Sequence, residues 1–480
     1  MSWIEPLTHI WPHLAAGFGL LTALLASGHA LLHKRDPRAA TLWIVVIWLL
    51  PILGAVAYLV LGVNRIRRRA IQLNVHVLPA RAIPENLGEP RSAGAEHLRH
   101  LARAVHQVTG RPLVGGNGLE PLVNGDAAFP AMIAAIDGAE ASVSLASYIF
   151  DRDPTGIQFV DALARAHRRG VDIRVLVDAA GARYSFPSIF RELRRAQIPC
   201  AAFLPSSLLQ PWRIATLNLR NHRKLVVVDG RTAFTGGINL RAGHVLAGHP
   251  AHPVQDLHFR VAGPVVTQLQ EAFVNDWAFS TGEVLDGSAW FADPVEGGDV
   301  TARVITDGPD GDFEKLRLTL IAALGEAESS VRIVTPYFLP DPTVIAALNL
   351  AALRGVQVDI ILPAVSNLPF VRWASRALWW QVLERGCRIW LTPPPFDHSK
   401  LMIVDSHWVL LGSANWDPRS LRLNFELNVE CYGREFAGRM EAIVAEKLRS
   451  ACEINLADAD GRPVWEKLRD ATARLFSPYL

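Results

Sequence analysis

Histidine and lysine recur together twice in this chain, with the same spacing each time. The first copy is Asn221-His222-Arg223-Lys224-Leu-Val-Val-Val-Asp229-Gly230, followed by Gly236-Gly237-Ile-Asn239. The second is His398-Ser399-Lys400-Leu-Met-Ile-Val-Asp405, followed by Gly412-Ser413-Ala414-Asn415. Both obey H-x-K-x-x-x-x-D, and both have a small-residue tail that ends in asparagine. Near neutral pH an imidazole can serve as nucleophile or as acid and base, and a neighbouring ammonium suits an anionic group under attack. The first copy reads as a strand, a tight turn and a second strand, since the Asp229-Gly230 pair between apolar β-branched runs favours a short hairpin. On such a strand His222 and Lys224 share a face and Arg223 takes the other. One copy is compatible with a solvated strand and a turn aspartate. Two copies with matching tails are not.

The elements that must position these residues are duplicated too. A helical pattern over 128–138 leads to a strand ending in Tyr148-Ile-Phe150-Asp151, and one over 315–327 leads to a strand ending in Tyr337-Phe338-Leu-Pro-Asp341. Each is followed by another helix and strand, 159–169 into 171–177 and 344–354 into 356–362. Strands alternating with helices imply a layered α/β fold. If the two units pack about a pseudo-twofold axis, their His/Lys faces meet in one cleft, as equivalent surfaces meet in an isologous dimer. Two imidazoles, two ammoniums and the Asn239 and Asn415 amides would then surround a space suited to a phosphate.

With 480 residues, the chain has room for two to three domains. Half of its residues are hydrophobic, and its net charge of +2 supplies no general attraction for nucleic acid. The four cysteines, Cys200, Cys387, Cys431 and Cys452, include no C-x-x-C pair and read as reduced, mostly buried thiols in a cytosolic setting. The hydrophobic excess sits at 14–32 and 39–63. The second run has no charged residue and is long enough to cross a hydrocarbon core of about 30 Å, with Pro51 as a kink. The first contains Gly17, Gly19, Thr22, Ser27, Gly28 and His29, which makes it the weaker span but suits close helix packing. Lys34, Arg35 and Arg38 between the runs compete with Arg65, Arg67, Arg68 and Arg69 after them, and the larger cluster places 64–480 in the cytoplasm.

The paired motifs resemble the phospholipase D superfamily, and the whole chain more narrowly resembles the bacterial cardiolipin synthases. The resemblance runs through the N-terminal hairpin, Tyr148-Ile-Phe150, Asn221–Asp229, Thr335–Phe338, Phe396–Lys400, Gly412–Glu426 and the terminal Phe476–Leu480. It implies an α/β fold of two tandem phospholipase D-like α/β/α sandwich half-domains around a pseudo-twofold axis, preceded by a two-helix transmembrane hairpin. The expected organisation is a hairpin with basic flank at 1–69, a connector at 70–115, and half-domains at 116–295 and 296–480.

The resemblance also implies a chemistry. One histidine forms a covalent phosphatidyl-histidine, and the other protonates the leaving alkoxide and then deprotonates the incoming hydroxyl. His222 as nucleophile and His398 as acid/base follow family convention. Lys224, Lys400, Asn239 and Asn415 would stabilise the phosphoryl oxygens. Asp256 and Glu426, the acidic residues downstream of each motif, would orient the histidines, with Glu430 an alternative to Glu426. Asp229 and Asp405 complete the catalytic motifs, although hairpin turns also account for them. No cofactor or metal is called for, and His244, His249, His252 and His258 lack a fixed ligand spacing.

The expected function is transfer of a phosphatidyl group between two phosphatidylglycerol molecules, releasing glycerol, by a multi-pass protein of the bacterial inner membrane. Phosphatidylglycerol, related phospholipids and the bilayer are its expected partners. The alternatives are a hydrolytic phospholipase D, a nuclease of the same superfamily, which would need a basic groove, and an inactive membrane scaffold. Three further features have two readings each. Trp373, Trp379 and Trp380 with Arg372 and Arg376 suit a core helix or a membrane-facing patch. The stretch 203–212 could line a lipid entrance. Tyr148 and Tyr337 read as packing or cleft-wall residues.

Overall fold

The computed structural model describes residues 5–34, 37–62, 96–205, 219–309 and 311–477. Arg35, the cluster Arg65 to Arg69, the prolines of the connector, 206–212 and the last three residues therefore lie outside the described residues. The remainder falls into two units, the N-terminal helices and everything from residue 96 on.

In the N-terminal unit the first apolar run is the long one. Glu5–His33 is a single helix, and its Trp11–His33 portion is long and apolar enough to cross a membrane. The second run is divided into Pro37–Leu49, Pro51–Ala57 and a π turn Tyr58–Gly62. This reverses the expected ranking of the two spans. The glycines of the first run lower helix propensity but keep every amide donor, whereas Pro51 has none and starts a new helix. Small residues of the first run do face the second: a Cβ at Gly19 would lie 3.6 Å from Pro51, and His29 Nδ1 is 2.8 Å from the Tyr58 hydroxyl. Ala23, Ala26 and Ala30 pack against Trp43, Ile47, Ala55 and Tyr58, while Cβ atoms at Gly17 or Gly28 would meet nothing within 4 Å.

The second unit is organised by one sheet in which sixteen of the described strands join. From the centre outward, the first half contributes Val114–Val123, Leu257–Ala262, Thr232–Gly236, Leu225–Val228, Ser142–Ser147, Asp172–Asp178 and Cys200–Phe203. The second contributes Val300–Asp307, Asn424–Tyr432, Trp408–Gly412, Leu401–Val404, Ser330–Val334, Gln357–Pro363 and Arg388–Thr392, in the matching order, with Cys452–Ile454 added at its edge. The halves join where Val114–Val123 runs antiparallel to Val300–Asp307. Each half has its own buried apolar cluster beneath flanking helices.

The duplication extends to the local signals. Asp153-Pro154 and Asp341-Pro342 open equivalent helices, Pro154–Arg168 and Pro342–Leu353. In both, the aspartate side chain accepts amide hydrogens of the first turn, and the proline sits where no amide partner is lost. The expected helices at 128–138 and 315–327 are Asn124–Asp137 and Lys315–Glu326. The end of the stretch read as a connector is itself a helix, Arg99–Thr109. Its Leu101, Ala102 and Val105 belong to the apolar cluster of the second half. Its polar faces had masked that amphipathic period.

Candidate active site

Each motif enters the site from a short crossover between the halves. Arg220–Asn221 pairs in parallel with Asn424–Phe425, and Phe396–Asp397 pairs in parallel with Val254–Gln255. The amides of His222 and His398 continue these crossovers, donating to Phe425 O at 2.9 Å and Gln255 O at 2.7 Å. Residues 222–224 and 398–400 therefore lie between paired strands rather than within one. The expected facing nevertheless holds. Lys224 Nζ donates to His222 O at 2.7 Å, and Lys400 Nζ donates to His398 O. Arg223 turns away to Asp276 Oδ1 at 2.6 Å and Glu426 O at 3.1 Å.

The crossovers exchange the carboxylates. His222 Nδ1 lies 3.0 Å from both oxygens of Glu426, and His398 Nδ1 lies 2.8 Å from Asp256 Oδ2. Each histidine is thus held by the acidic residue downstream of the other motif. With Nδ1 engaged, Nε2 of each ring is left for chemistry. Both side chains are only 10 % exposed. Ser413 Oγ donates to Glu426 Oε2 at 2.5 Å and Asn424 Nδ2 to Oε1 at 3.1 Å, while Asp256 accepts the Leu257 amide at 2.8 Å. Glu430 has another role: it accepts from Arg303 Nε at 2.5 Å, Trp408 Nε1 at 3.0 Å and the Tyr432 hydroxyl at 3.2 Å. That occupancy removes it as an alternative to Glu426.

Electrostatics place both motifs in one site. Burial lowers both imidazoles from their ordinary value. His398 goes further, opposed also by Lys400, Lys224 and His222. Burial lowers Lys224 to about 7 and Lys400 to about 8, despite the favourable charges of Glu426 and Asp256. Burial also raises Asp256 to about 6. It would raise Glu426 as well, but His222, Lys224 and Ser413 together hold that carboxyl below its ordinary value. A dianionic or monoanionic phosphate entering here would restore charge to the ammoniums, since an opposite charge favours the protonated form.

Asp229 and Asp405 stand apart from this group, at the hairpin turns. A four-residue strand separates each from its lysine. The Asp229 carboxylate accepts the amides of Glu140, Ala141 and Ser142. Asp405 accepts those of Glu328, Ser329 and Ser330, together with His97 Nε2 at 2.8 Å. They pin the hairpin turns to the start of the neighbouring strand. Asn239 and Asn415 are buried in their tails; Asn239 Oδ1 accepts the Ile149 amide at 3.3 Å, and Asn415 Oδ1 has no hydrogen-bond partner among the described residues.

The two tyrosines read as packing or cleft-wall residues stand beside the histidines, joined by residues that the sequence did not single out. Tyr148 packs edge-on to His222 at 5.1 Å, under Lys224 Nζ at 5.5 Å, and Tyr337 stands 6.4 Å from His398. The His244 ring is 6.4 Å from His398, whereas His249 and His252 are exposed. Arg220 and Arg419 bring positive charge near each other and near Tyr148, and burial with the Arg220 charge lowers Arg419. Asp276 and Lys447 support the motif backbones from the long helices, Asp276 through Arg223 and Asn221, Lys447 through Asp397 at 2.5 Å. Tyr148, Tyr337 and Arg419 lie inside the quoted motif stretches, whereas Arg220, Asp276 and Lys447 follow only from packing. Of the tryptophans, Trp379 is buried and donates to Ser375 Oγ at 3.1 Å, while Trp380 is exposed. Phe203 is buried against Phe425 at 5.1 Å.

The fold is that of the phospholipase D superfamily. A solved phosphatidylserine synthase from Haemophilus influenzae Rd KW20 superposes with a TM-score of 0.60 over 79 % of this chain and all of that one, at 14 % identity. The family model described as "Cardiolipin synthase, PLD-like domain" matches residues 132–277 and 320–448, and "Phospholipase_D-nuclease N-terminal" matches 21–62. Cardiolipin synthase A of Pseudomonas putida is 33 % identical over 98 % of this chain and its own full length. The cardiolipin synthase of Geobacillus kaustophilus is 31 % identical over 94 % of this chain and 90 % of its own. The chain belongs to the cardiolipin synthase family.

Proposed function

We propose that this protein joins two phosphatidylglycerol molecules into cardiolipin and glycerol, and that the exchanged His–carboxylate pairs carry the reaction. Family membership supports the overall transfer. The single observation that supports the mechanism is the meeting of both His/Lys motifs in one buried site, each ring anchored at Nδ1 by a carboxylate of the opposite half.

His222 Nε2 attacks phosphorus while His398 Nε2 gives a proton to the departing glycerol oxygen, so that a P–N bond replaces the P–O bond. The acceptor hydroxyl then loses its proton to His398, its oxygen bonds to phosphorus, and the P–N bond breaks. A phosphorylated imidazole carries positive charge, and Glu426, held ionised by its neighbours, is the carboxylate suited to stabilise it. Lys224 and Lys400 neutralise the phosphoryl oxygens in a site from which most water is excluded, where such charges act strongly. Asn239 and Asn415 add amide donors. In this reading the apolar N-terminal helices hold the enzyme in the bacterial inner membrane with the catalytic unit on the cytoplasmic side.

Incubation of the full-length protein with labelled phosphatidylglycerol tests the reading. Labelled cardiolipin with free glycerol is expected. Phosphatidic acid as the main product would replace transfer by hydrolysis.

A further inference from the structure

Two surface segments border the histidine site, one from each half, and they occupy equivalent places. Residues 181–195 follow the strand Asp172–Asp178, and 367–376 follow the matching strand Gln357–Pro363. Each touches the tyrosine beside its own histidine. The Tyr184 ring packs 6.4 Å from Tyr148, and Tyr337 donates its hydroxyl hydrogen to Asn367 Oδ1 at 2.7 Å. The first contact depends on Gly181, where a Cβ would fall 1.7 Å from the Tyr148 carbonyl oxygen.

The outward faces of these segments are aromatic and cationic. Phe186 is wholly exposed, with Tyr184 exposed beside it and Arg183 and Arg191 among the residues around an open depression of about 660 Å³. On the other segment Phe370 meets the exposed Phe476 at 5.7 Å and Trp373 at 6.2 Å. The Arg469 guanidinium lies 4.7 Å from Trp373 and 5.3 Å from Trp465, a residue 61 % exposed. Isolated apolar residues on a surface are ordinary, but contiguous aromatic groups interleaved with arginine suit the headgroup level of a bilayer.

We propose that these two rims are the surface by which the catalytic unit docks onto an anionic bilayer, one rim on each side of the mouth of the site. The proposal rests on the phosphatidyl-transfer reading for its occupant. A substrate held in the bilayer by its acyl chains must present its phosphate to two rings that are nearly closed to solvent, and each rim touches the tyrosine packed beside one of them. Charge complementarity favours this occupant over a second copy of the chain at the first rim, where Arg183, Arg191 and Arg194 crowd one depression, would oppose their like across a dimer, and are instead attracted by anionic lipid. On the second rim Arg469 meets Asp470 at 2.8 Å, and the aromatic rings supply the contact.

The test uses the full-length protein with Cys200 and Cys452 replaced by serine and an environment-sensitive label at Phe186→Cys or Phe370→Cys. In vesicles containing phosphatidylglycerol, emission from both positions should shift to the blue and be quenched by lipids carrying a headgroup-level quencher. A label at Arg231→Cys, at the turn end of the hairpin, should do neither. Rim labels that stay unquenched in these vesicles would overturn the proposal. So would a shift that appears in detergent and grows with protein concentration, which assigns the face to contact between copies. Activity supplies an independent reading. Phe186→Ser combined with Arg191→Glu should lower turnover of long-chain phosphatidylglycerol in vesicles by about tenfold and leave a short-chain, monomeric phosphatidylglycerol unaffected. Equal loss on both substrates would make the rim merely structural. Quenching by a native protein that forms no cardiolipin would sink the transfer reading and leave docking standing.

Discussion

The two halves of the site hold the same parts in different surroundings. On one side the His222 ring faces a glutamate that also receives Ser413 and Asn424, and that carboxyl stays below its ordinary range. On the other, His398 faces an aspartate with one backbone donor of its own, raised by burial to about 6. The supports behind the motifs have exchanged sign as well. Arg223 meets Asp276 in the first half, whereas Asp397 meets Lys447 in the second. Duplication kept the positions of the imidazoles and ammoniums, all lowered in pKa by burial, and the neighbours divided the two carboxyls, one held ionised and one raised to about 6. Two groups whose environments differ in this way can take opposite roles in one reaction.

The largest effects should come from the rings. His222→Ala and His398→Ala are each expected to lower cardiolipin formation by at least about 10³-fold, as covalent and acid/base steps require. A phosphatidyl ester with a p-nitrophenol leaving group sharpens the comparison, because it departs without protonation. His398→Ala should recover the release of p-nitrophenol in a single turnover, and His222→Ala should not. The opposite pattern would exchange the two roles.

Replacing the orienting carboxylates should separate the halves more finely. Glu426→Gln is expected to reduce turnover by about 10³-fold and Asp256→Asn by about 10²-fold, since an uncharged amide neither fixes the tautomer nor stabilises a cationic ring. Equal losses would erase the electrostatic asymmetry. For the lysines the active form is the ammonium, present below its pKa and lost as pH rises through it. With Lys224 lowered to about 7 and Lys400 to about 8, kcat/KM should fall on the alkaline side across that interval. A flat profile to about pH 9 would show that the free site keeps both charges.

The smallest effects on chemistry should lie at the residues that hold the frame. Asp229→Ala and Asp405→Ala remove acceptors from several backbone amides and should cost about 1–3 kcal/mol of stability. Glu430→Gln leaves Arg303 buried without its charge and should cost about 3–5 kcal/mol. Thermal unfolding in detergent checks all three, with turnover per folded molecule nearly unchanged. A loss of turnover without loss of stability at Asp229 or Asp405 would return that residue to the chemistry.

Much of this was legible before folding was considered. The doubled H-x-K-x-x-x-x-D spacing singled out the histidines and lysines that the fold brings together, and period-2 alternation put His222 and Lys224 together and Arg223 elsewhere. Alternating helices and strands implied the repeated sheet, while the equivalent helix starts at Asp153-Pro154 and Asp341-Pro342 emerged only with the fold. Legibility ended where a contact joined distant segments. Glu426 and Glu430 lie on the same face of one strand, four residues apart, so no periodicity separates them. The crossover Arg220–Asn221 reaches the first, and Arg303 on the adjacent strand neutralises the second.

The same division holds for the whole molecule. Residue types and their order were sufficient to specify phosphoryl chemistry, duplication and an apolar N-terminus, because reactivity, turn preference and hydropathy are local properties. Which carboxylate meets which histidine was decided by the fold, since strands that cross between halves bring partners about 200 or 140 residues apart into contact. Burial was decided there too. Only a closed interior lowers two lysines toward neutrality, and no list of neighbours along the chain contains that information.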